Sequence, residues 1–227
     1  WGSTAALWFA LVGVFRPPLS MTLSVLSIRT MGPTLASAFA STAPMFATAF
    51  AIVLLGEVLT PTIALGTAAI VGGAIIATLK PAGLKRDWPL WAIGLPLATA
   101  AIRAGAHAIT KLGLNDLPSP LCACLVGCRV GFLVTASLFL IQRRRFTGDF
   151  RAHRWFMGAG LCSSFGIFAL NTALQKGTVM TVAPIVASAP IFTLLLSLAI
   201  FRRETITWRT ALAIALVVPG VVLLIAK

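Results

Sequence analysis

The feature that most constrains this chain is a series of long apolar stretches that contain no charged residue. Residues 33–56, 58–79, 155–175 and 177–201 all lack Asp, Glu, Lys and Arg. About 20 apolar residues in a row are enough for one helix to cross the hydrocarbon core of a bilayer. We expect helices here because lipid offers no hydrogen-bond partner to an unpaired backbone group.

Four further stretches complete the series. Residues 210–226 form a slightly shorter uncharged stretch. The other three, each with one interior arginine, are 5–28 around Arg16, 90–112 around Arg103 and 119–141 around Arg129. Short turns join the eight stretches, and Thr60-Pro61 and Ser119-Pro120 are typical helix starts. The sequence therefore predicts an all-α membrane protein with eight transmembrane helices.

The composition argues against a soluble domain. Only 10% of the residues are charged, 59% are hydrophobic, and the mean hydropathy is +0.99, whereas soluble domains carry about 25% charged residues. The net charge of +13 would suit nucleic-acid binding, but the basic residues lie at the ends of apolar stretches, as in loops at an anionic lipid surface. We therefore expect a multi-pass protein of the cell (inner) membrane, with the lipid bilayer as a partner and no nucleic acid.

An internal repeat relates residues 36–80 to residues 182–227. The aligned motif is Ser41-Thr42-Ala43-Pro44-Met45-Phe46 in the first copy and Ala187-Ser188-Ala189-Pro190-Ile191-Phe192 in the second. A glutamate follows in each copy, Glu57 or Glu204, and a glycine lies 16 residues beyond it. Agreement at this many offsets predicts two copies of one helical unit.

The two copies are unequal in length. Segments 90–112 and 119–141 precede the third segment of the second copy, whereas nothing comparable precedes 5–28 in the first. We therefore expect a parent protein of ten helices in two five-helix repeats, with the first two helices missing from this N-terminally truncated chain. The predicted division is 1–81 for the first repeat and 82–227 for the second. An odd number of helices per repeat inverts the second copy in the membrane.

These motifs resemble the EamA-type module of the drug/metabolite transporter superfamily. The shared features are Ala-Pro-x-Phe, then Gly-Glu-x-Leu-Thr, then a glycine-bearing apolar helix, although the second copy has Arg203-Glu204 where the pattern expects Gly-Glu. The resemblance implies a secondary transporter of a small metabolite, often an exporter, with a central cavity and alternating access. The superfamily carries amino acids, nucleotide sugars, sugar phosphates and drugs, so substrate, direction and coupling ion stay open.

Three arginines are the first candidates for substrate binding. Arg16, Arg103 and Arg129 lie near the middle of their segments, and no acid lies inside any apolar segment. A charge at the bilayer centre costs about 2.5–3.5 kcal/mol, so it usually faces a cavity or a partner. Either these cations contact a carboxylate or phosphate of an anionic or zwitterionic substrate, or they bond backbone carbonyls or water, or snorkel.

Other polar residues extend the candidate site. His107 and Lys111 follow Arg103 at intervals of four, so the three share one helical face that we expect to line the cavity. His107 either titrates in a proton-coupled cycle or makes an ordinary structural hydrogen bond. Asn171 and Ser164 give another segment polar atoms, which either line the cavity or bridge helices.

Several features concern the backbone and helix packing. Arg16-Pro17-Pro18 interrupts a segment because proline lacks the N–H of a helical hydrogen bond, which produces either a binding feature or a simple kink. The pair Gly127-x3-Gly131 suits close helix contact within the bundle or dimerisation. Glu57 and Glu204 stand at helix ends, where a structural role is the better interpretation.

No constellation for catalysis, a metal or a cofactor is present in the sequence. Two histidines and five acids supply no nucleophile–base pair, and no His or acid stands at ligand spacing from the cysteines. The cysteines, which lie within apolar stretches, are Cys122, Cys124, Cys128 and Cys162. We therefore expect no enzyme. The alternative to a transporter is a non-transporting polytopic membrane scaffold or assembly partner. In either case the sequence leaves open whether the protein is a monomer or a homodimer.

Overall fold

The chain is helical throughout the part that the structure describes. The computed structural model describes residues 3–32, 36, 39–78, 89–142, 150–189, 192 and 208–225. The α-helices in these ranges are α1 Ser3–Val14, α2 Ser20–Met31, α3 Ala43–Leu55, α4 Pro61–Thr78, α5 Gly94–Asp116, α6 Pro120–Ile141, α7 Phe150–Lys176, α8 Val179–Ala187 and α9 Trp208–Ile225. No strand occurs within those ranges, which agrees with the predicted all-α class.

Three described helical stretches are long and apolar enough to cross a membrane. They are Trp91–Asp116, Pro120–Ile141 and His153–Lys176, with lengths of 26, 22 and 24 residues. Shorter apolar helices run over Thr4–Val14, Ala43–Leu55, Pro61–Ile76 and Ala215–Ile225. The predicted total of eight transmembrane helices, and the inversion of the second repeat, remain predictions.

The predicted helix starts agree with the structure where they are described. Helix α4 begins at Pro61 and α6 begins at Pro120. The Ser119 hydroxyl accepts the backbone N–H of Cys122 at 3.4 Å, which satisfies one of the donors left open in the first turn. Proline suits the first helical position because the N–H that it lacks would have no partner there.

The segment around Arg16-Pro17-Pro18 continues as a helix with a different pitch. Residues Phe15–Leu19 form a π-helical turn between α1 and α2, and Pro18 lies inside it. A π-turn shifts the hydrogen-bond register and so tolerates a missing N–H without unwinding the chain. The expected interruption is therefore a local change of helix type.

The chain divides into two compact units. The first unit comprises Trp1–Leu19 and Ile109–Gly177, and the second comprises Ser20–Ala108 and Thr178–Lys227. The predicted repeat boundary near residue 81 is a different division of the chain, and it remains a prediction.

In the first unit, α1 packs closely against α6 at two glycines. A Cβ atom added to Gly13 would lie 2.6 Å from the Gly127 carbonyl oxygen and 2.9 Å from the Val130 Cβ. Backbone cannot move aside cheaply at such distances, so this contact requires glycine. The small-residue face at Gly127 therefore serves packing within the unit.

In the second unit, α4 and α9 make a similar close contact. A Cβ atom on Gly220 would lie 3.0 Å from the Gly66 carbonyl oxygen and 2.9 Å from the Ile70 Cγ1. A Cβ atom on Gly66 would in turn lie 3.1 Å from the Gly220 carbonyl oxygen. Each helix thus offers a glycine where the other approaches.

Glu57 connects the end of α3 to the start of α8 in the second unit. Gly56 ends α3 with a positive φ of 64°, which turns the chain, and the Glu57 N–H bonds back to the Ala51 carbonyl at 3.1 Å. The Glu57 carboxylate accepts the N–H groups of Val179 at 2.8 Å and Met180 at 3.0 Å. Glu57 is therefore a capping residue for a helix far away in sequence.

Lys111 has the opposite role at a helix C-terminus in the first unit. Its Nζ donates to the carbonyls of Leu174 at 2.7 Å, Gly177 at 2.9 Å and Gln175 at 3.4 Å, where α7 ends. The last carbonyls of a helix have no partner within it and carry partial negative charge, so an ammonium group stabilises them.

Candidate functional site

A cavity of about 360 Å³ lies within the second unit. Its volume falls in the range of roughly 300–1,000 Å³ that is usual for small-molecule sites. Residues of α2, α3, α5 and α8 line it, together with the segment that precedes α3. Most of the lining is Ala, Pro, Val and Ile, and the polar lining residues are Ser24, Ser27, Ser41, Thr99, Arg103 and His107.

One face of α5 supplies the densest polar wall of this cavity. Thr99, Arg103 and His107 recur every four residues, so they lie one above another on the helix. The sequence-based prediction included Arg103 and His107 in this stripe and missed Thr99, although the same spacing extends to it. Lys111, the next position, does not line the cavity and caps α7 as described above.

The cavity is positively charged. Arg103 is its one permanent charge among the described lining residues, and no Asp or Glu occurs among them. His107 is 6% exposed and therefore buried in the same wall. Arg103 is exposed at the cavity wall, and a cation with no carboxylate among its described neighbours in the lining attracts a negatively charged ligand.

Two turns of the same shape border the cavity. Thr42 stands just before α3 with φ −79° and ψ −3°, and Ser188 stands just after α8 with φ −74° and ψ −5°. The Thr42 hydroxyl donates to the Phe39 carbonyl at 2.7 Å, and the Ser188 hydroxyl donates to the Ile185 carbonyl at 2.6 Å. In each turn the hydroxyl thus donates to the backbone carbonyl three residues earlier.

These turns occupy positions that the sequence repeat aligns. Thr42 aligns with Ser188, and their acceptors Phe39 and Ile185 align with each other. The lining residues beside the turns also match: Ala40 with Val186, Ser41 with Ala187, and Ala43 with Ala189. Corresponding positions of both sequence copies therefore meet in one cavity, which the sequence motif alone did not reveal.

A second, much smaller cavity of about 40 Å³ lies within the first unit. Arg16 of the π-turn and Asn171 of α7 line it, together with Thr110 of α5. Asn171 and Thr110 are each 3% exposed. The structure thus brings Arg16 and Asn171 together, in a cavity other than the one that Arg103 and His107 line. Their predicted contact with substrate remains a prediction.

Arg129 and Ser164, the remaining predicted substrate contacts, lie outside the described linings of both cavities. Both residues are exposed. The Ser164 hydroxyl donates to the Gly160 carbonyl of its own helix at 2.9 Å, which is the usual arrangement for a serine in an apolar helix.

Membrane-length apolar helices and a positively charged cavity of metabolite size are the features of an integral membrane transporter. The model of the EamA-like transporter family matches residues 1–79 and 90–226, so the chain belongs to this family. The family is part of the drug/metabolite transporter superfamily, and the resemblance noted in the sequence is confirmed.

A solved crystal structure of a protein shares this fold. It aligns with a TM-score of 0.73 over 97% of this chain and 85% of that chain, at 18% sequence identity. It belongs to a group of 22 solved chains that match. The superposition demonstrates a common fold, and an identity this low carries no information about function. No curated protein matches the sequence.

Proposed function

We propose that this protein is a secondary transporter that exports a small anionic or zwitterionic metabolite by alternating access. The observation that carries the proposal is Arg103 in the wall of the 360 Å³ cavity. The volume of the cavity fits a small metabolite, and the positive charge of Arg103 favours a metabolite with a negatively charged group. Family membership supports transport as the activity, and the cavity supports the class of cargo.

The start of α3 supports an anionic cargo independently of Arg103. Ala43 is the first residue of α3, and it lines the cavity. The N-terminus of a helix carries a partial positive charge of about +0.5. In the first turn of α3, Pro44 has no N–H and the Met45 N–H donates to the Thr42 carbonyl at 2.9 Å, so the support comes from the helix dipole. Helix ends near the middle of a membrane protein are common binding features for carboxylates in transporters.

The paired turns at Thr42 and Ser188 support alternating access. In transporters built from repeats, the substrate site lies where the repeats meet, and the repeats exchange conformations to open it to either side. Aligned positions of the two copies in this chain line the same cavity. Because equivalent residues of the two copies line this cavity, a movement of either copy would change its opening.

The test is saturable counterflow in proteoliposomes, with a panel of carboxylate, phosphate, zwitterionic and neutral metabolites. We expect Arg103→Gln to weaken the apparent affinity for the transported anion by about 10–100-fold, because a charge-assisted hydrogen bond contributes about 1.5–3 kcal/mol. The matched control is Arg154→Gln, which removes the same charge from an exposed position of α7 outside the described cavity linings.

Three outcomes of this assay are informative. Wild-type affinity for anions in Arg103→Gln would refute the role of Arg103. Transport of neutral compounds alone would refute the anionic cargo. Absence of counterflow for every compound would instead favour the non-transporting scaffold. Repeating the assay with an imposed pH gradient, in wild type and in His107→Gln, measures whether transport is coupled to protons through His107.

A further inference from the structure

The small cavity of the first unit differs from the metabolite cavity in size. Its volume of about 40 Å³ exceeds the roughly 10–15 Å³ that one water molecule needs. It is far below the roughly 300 Å³ of the smallest usual metabolite pockets. Its occupant must therefore be a solvent molecule or a small ion.

The lining supplies hydrogen-bond donors that are held inside the protein. Asn171 is 3% exposed, and no hydrogen bond of its side chain is found among the described residues. Its amide carries two N–H donors. Thr110, equally buried, also lines the cavity, as do Cys124 and Cys128, whose sulfur atoms lie 4.0 Å from each other. A buried asparagine normally has a partner, so a group in the cavity is the expected one.

The charge of the lining selects the kind of occupant. Arg16 carries a permanent positive charge, and no Asp or Glu occurs among the described lining residues. Arg16 also lies on the π-helical turn, and such turns are frequent at functional sites. An arginine charge and amide N–H donors around a volume of this size match a single-atom anion.

We propose that this cavity binds one monovalent inorganic anion of the halide class, for which chloride is the probe. Arg16 supplies the charge, and the Asn171 amide supplies neutral N–H donors. The site is distinct from the metabolite cavity and does not depend on the proposed transport activity. It also gives Arg16 and Asn171 a ligand other than the metabolite.

The experiment measures the melting temperature of the purified full chain in detergent across a chloride series, with gluconate holding the ionic strength constant. A ligand that binds only the folded state raises the melting temperature in a saturable way. We expect this rise with chloride and with bromide. Equal melting temperatures in chloride and in gluconate at every concentration would overturn the proposal and leave water as the occupant.

Variants locate the effect. We expect Arg16→Gln and Asn171→Leu each to raise the half-saturating chloride concentration by about tenfold or more, because each removes a donor to the anion. Arg103→Gln, the same change in the other cavity, should leave that concentration unchanged. An unchanged chloride response in Arg16→Gln would overturn the proposal.

Two further measurements remain decisive if Arg16→Gln fails to fold. Arg16→Lys keeps the charge and should retain saturable stabilisation by chloride; loss of the response in this folded variant would count against a charge-based site. Crystals grown in bromide should show an anomalous peak between Arg16 and Asn171. Bromide peaks only elsewhere would overturn the assignment.

Discussion

Replacing Glu57 with alanine removes the carboxylate that accepts two backbone N–H groups in the first turn of α8. The Glu57 carboxylate accepts the N–H of Val179 at 2.8 Å and the N–H of Met180 at 3.0 Å. The next N–H of the turn, that of Thr181, is accepted by the Thr178 hydroxyl at 3.3 Å. Glu57 and Thr178 thus divide the first three donors of α8 between them.

The burial of the two donors determines the magnitude. Val179 is 0% exposed and Met180 is 1% exposed, so water cannot replace the carboxylate without local opening. A buried donor left unsatisfied costs about 1–3 kcal/mol, and the lost charge at a helix N-terminus adds about 0.3–1 kcal/mol. For two donors these contributions add to about 2–7 kcal/mol. Because Glu57 itself is only half-buried, we expect a loss at the lower end, about 2–3 kcal/mol of unfolding free energy.

The assay is thermal unfolding in detergent, followed by tryptophan fluorescence. For a chain of this length, 1 kcal/mol corresponds to about 2–4 °C, so Glu57→Ala should melt about 4–12 °C below wild type. Thr178→Val, which removes one acceptor, should cost less. Val58→Ala, at a neighbouring residue that is 79% exposed, controls for truncation in the same turn. A Glu57→Ala protein that melts with the Val58→Ala control would refute the capping argument.

Two further predictions use the same assay. Lys111→Met should lower stability by about 1–3 kcal/mol because the carbonyls of Leu174 and Gln175 in α7, and of Gly177 just after it, lose their donor. Lys176→Met, which removes an exposed charge from the same helix end, should have little effect, and equal melting of the two variants would contradict the cap. Gly220→Ala should cost about 1–3 kcal/mol because its Cβ would meet the Gly66 carbonyl. Gly72→Ala, with no atom within 4 Å of the added Cβ, should be neutral or stabilising, and a Gly220→Ala protein as stable as Gly72→Ala would rule out the close contact.

Local signals in the sequence predicted the local features of the fold well. Thr60-Pro61 and Ser119-Pro120 marked real helix starts because capping chemistry depends on residues adjacent in sequence. The spacing of Arg103 and His107 predicted a shared face because helix periodicity alone determines it. These inferences needed no knowledge of which helix is the neighbour.

Long-range partners could not be predicted in this way. Lys111 continues the stripe of Arg103 and His107 by spacing, yet it binds the end of α7, whose position is a matter of tertiary packing. Glu57 was correctly given a structural role, but its partner lies 122 residues away. Arg16 and Arg103 line two different cavities, which also depends on packing. The sequence could not distinguish them, because each is an arginine inside an apolar segment.

The charged residues can be sorted by what the helix ends require. A helix end in apolar surroundings needs hydrogen-bond partners from outside the helix, because neither lipid nor apolar side chains can satisfy its terminal N–H or carbonyl groups. Glu57 meets that need at the start of α8, and Lys111 meets it at the end of α7. Arg103 lies in mid-helix, where the backbone groups already bond each other. Its charge is therefore available to a ligand, which is why the functional proposal rests on Arg103.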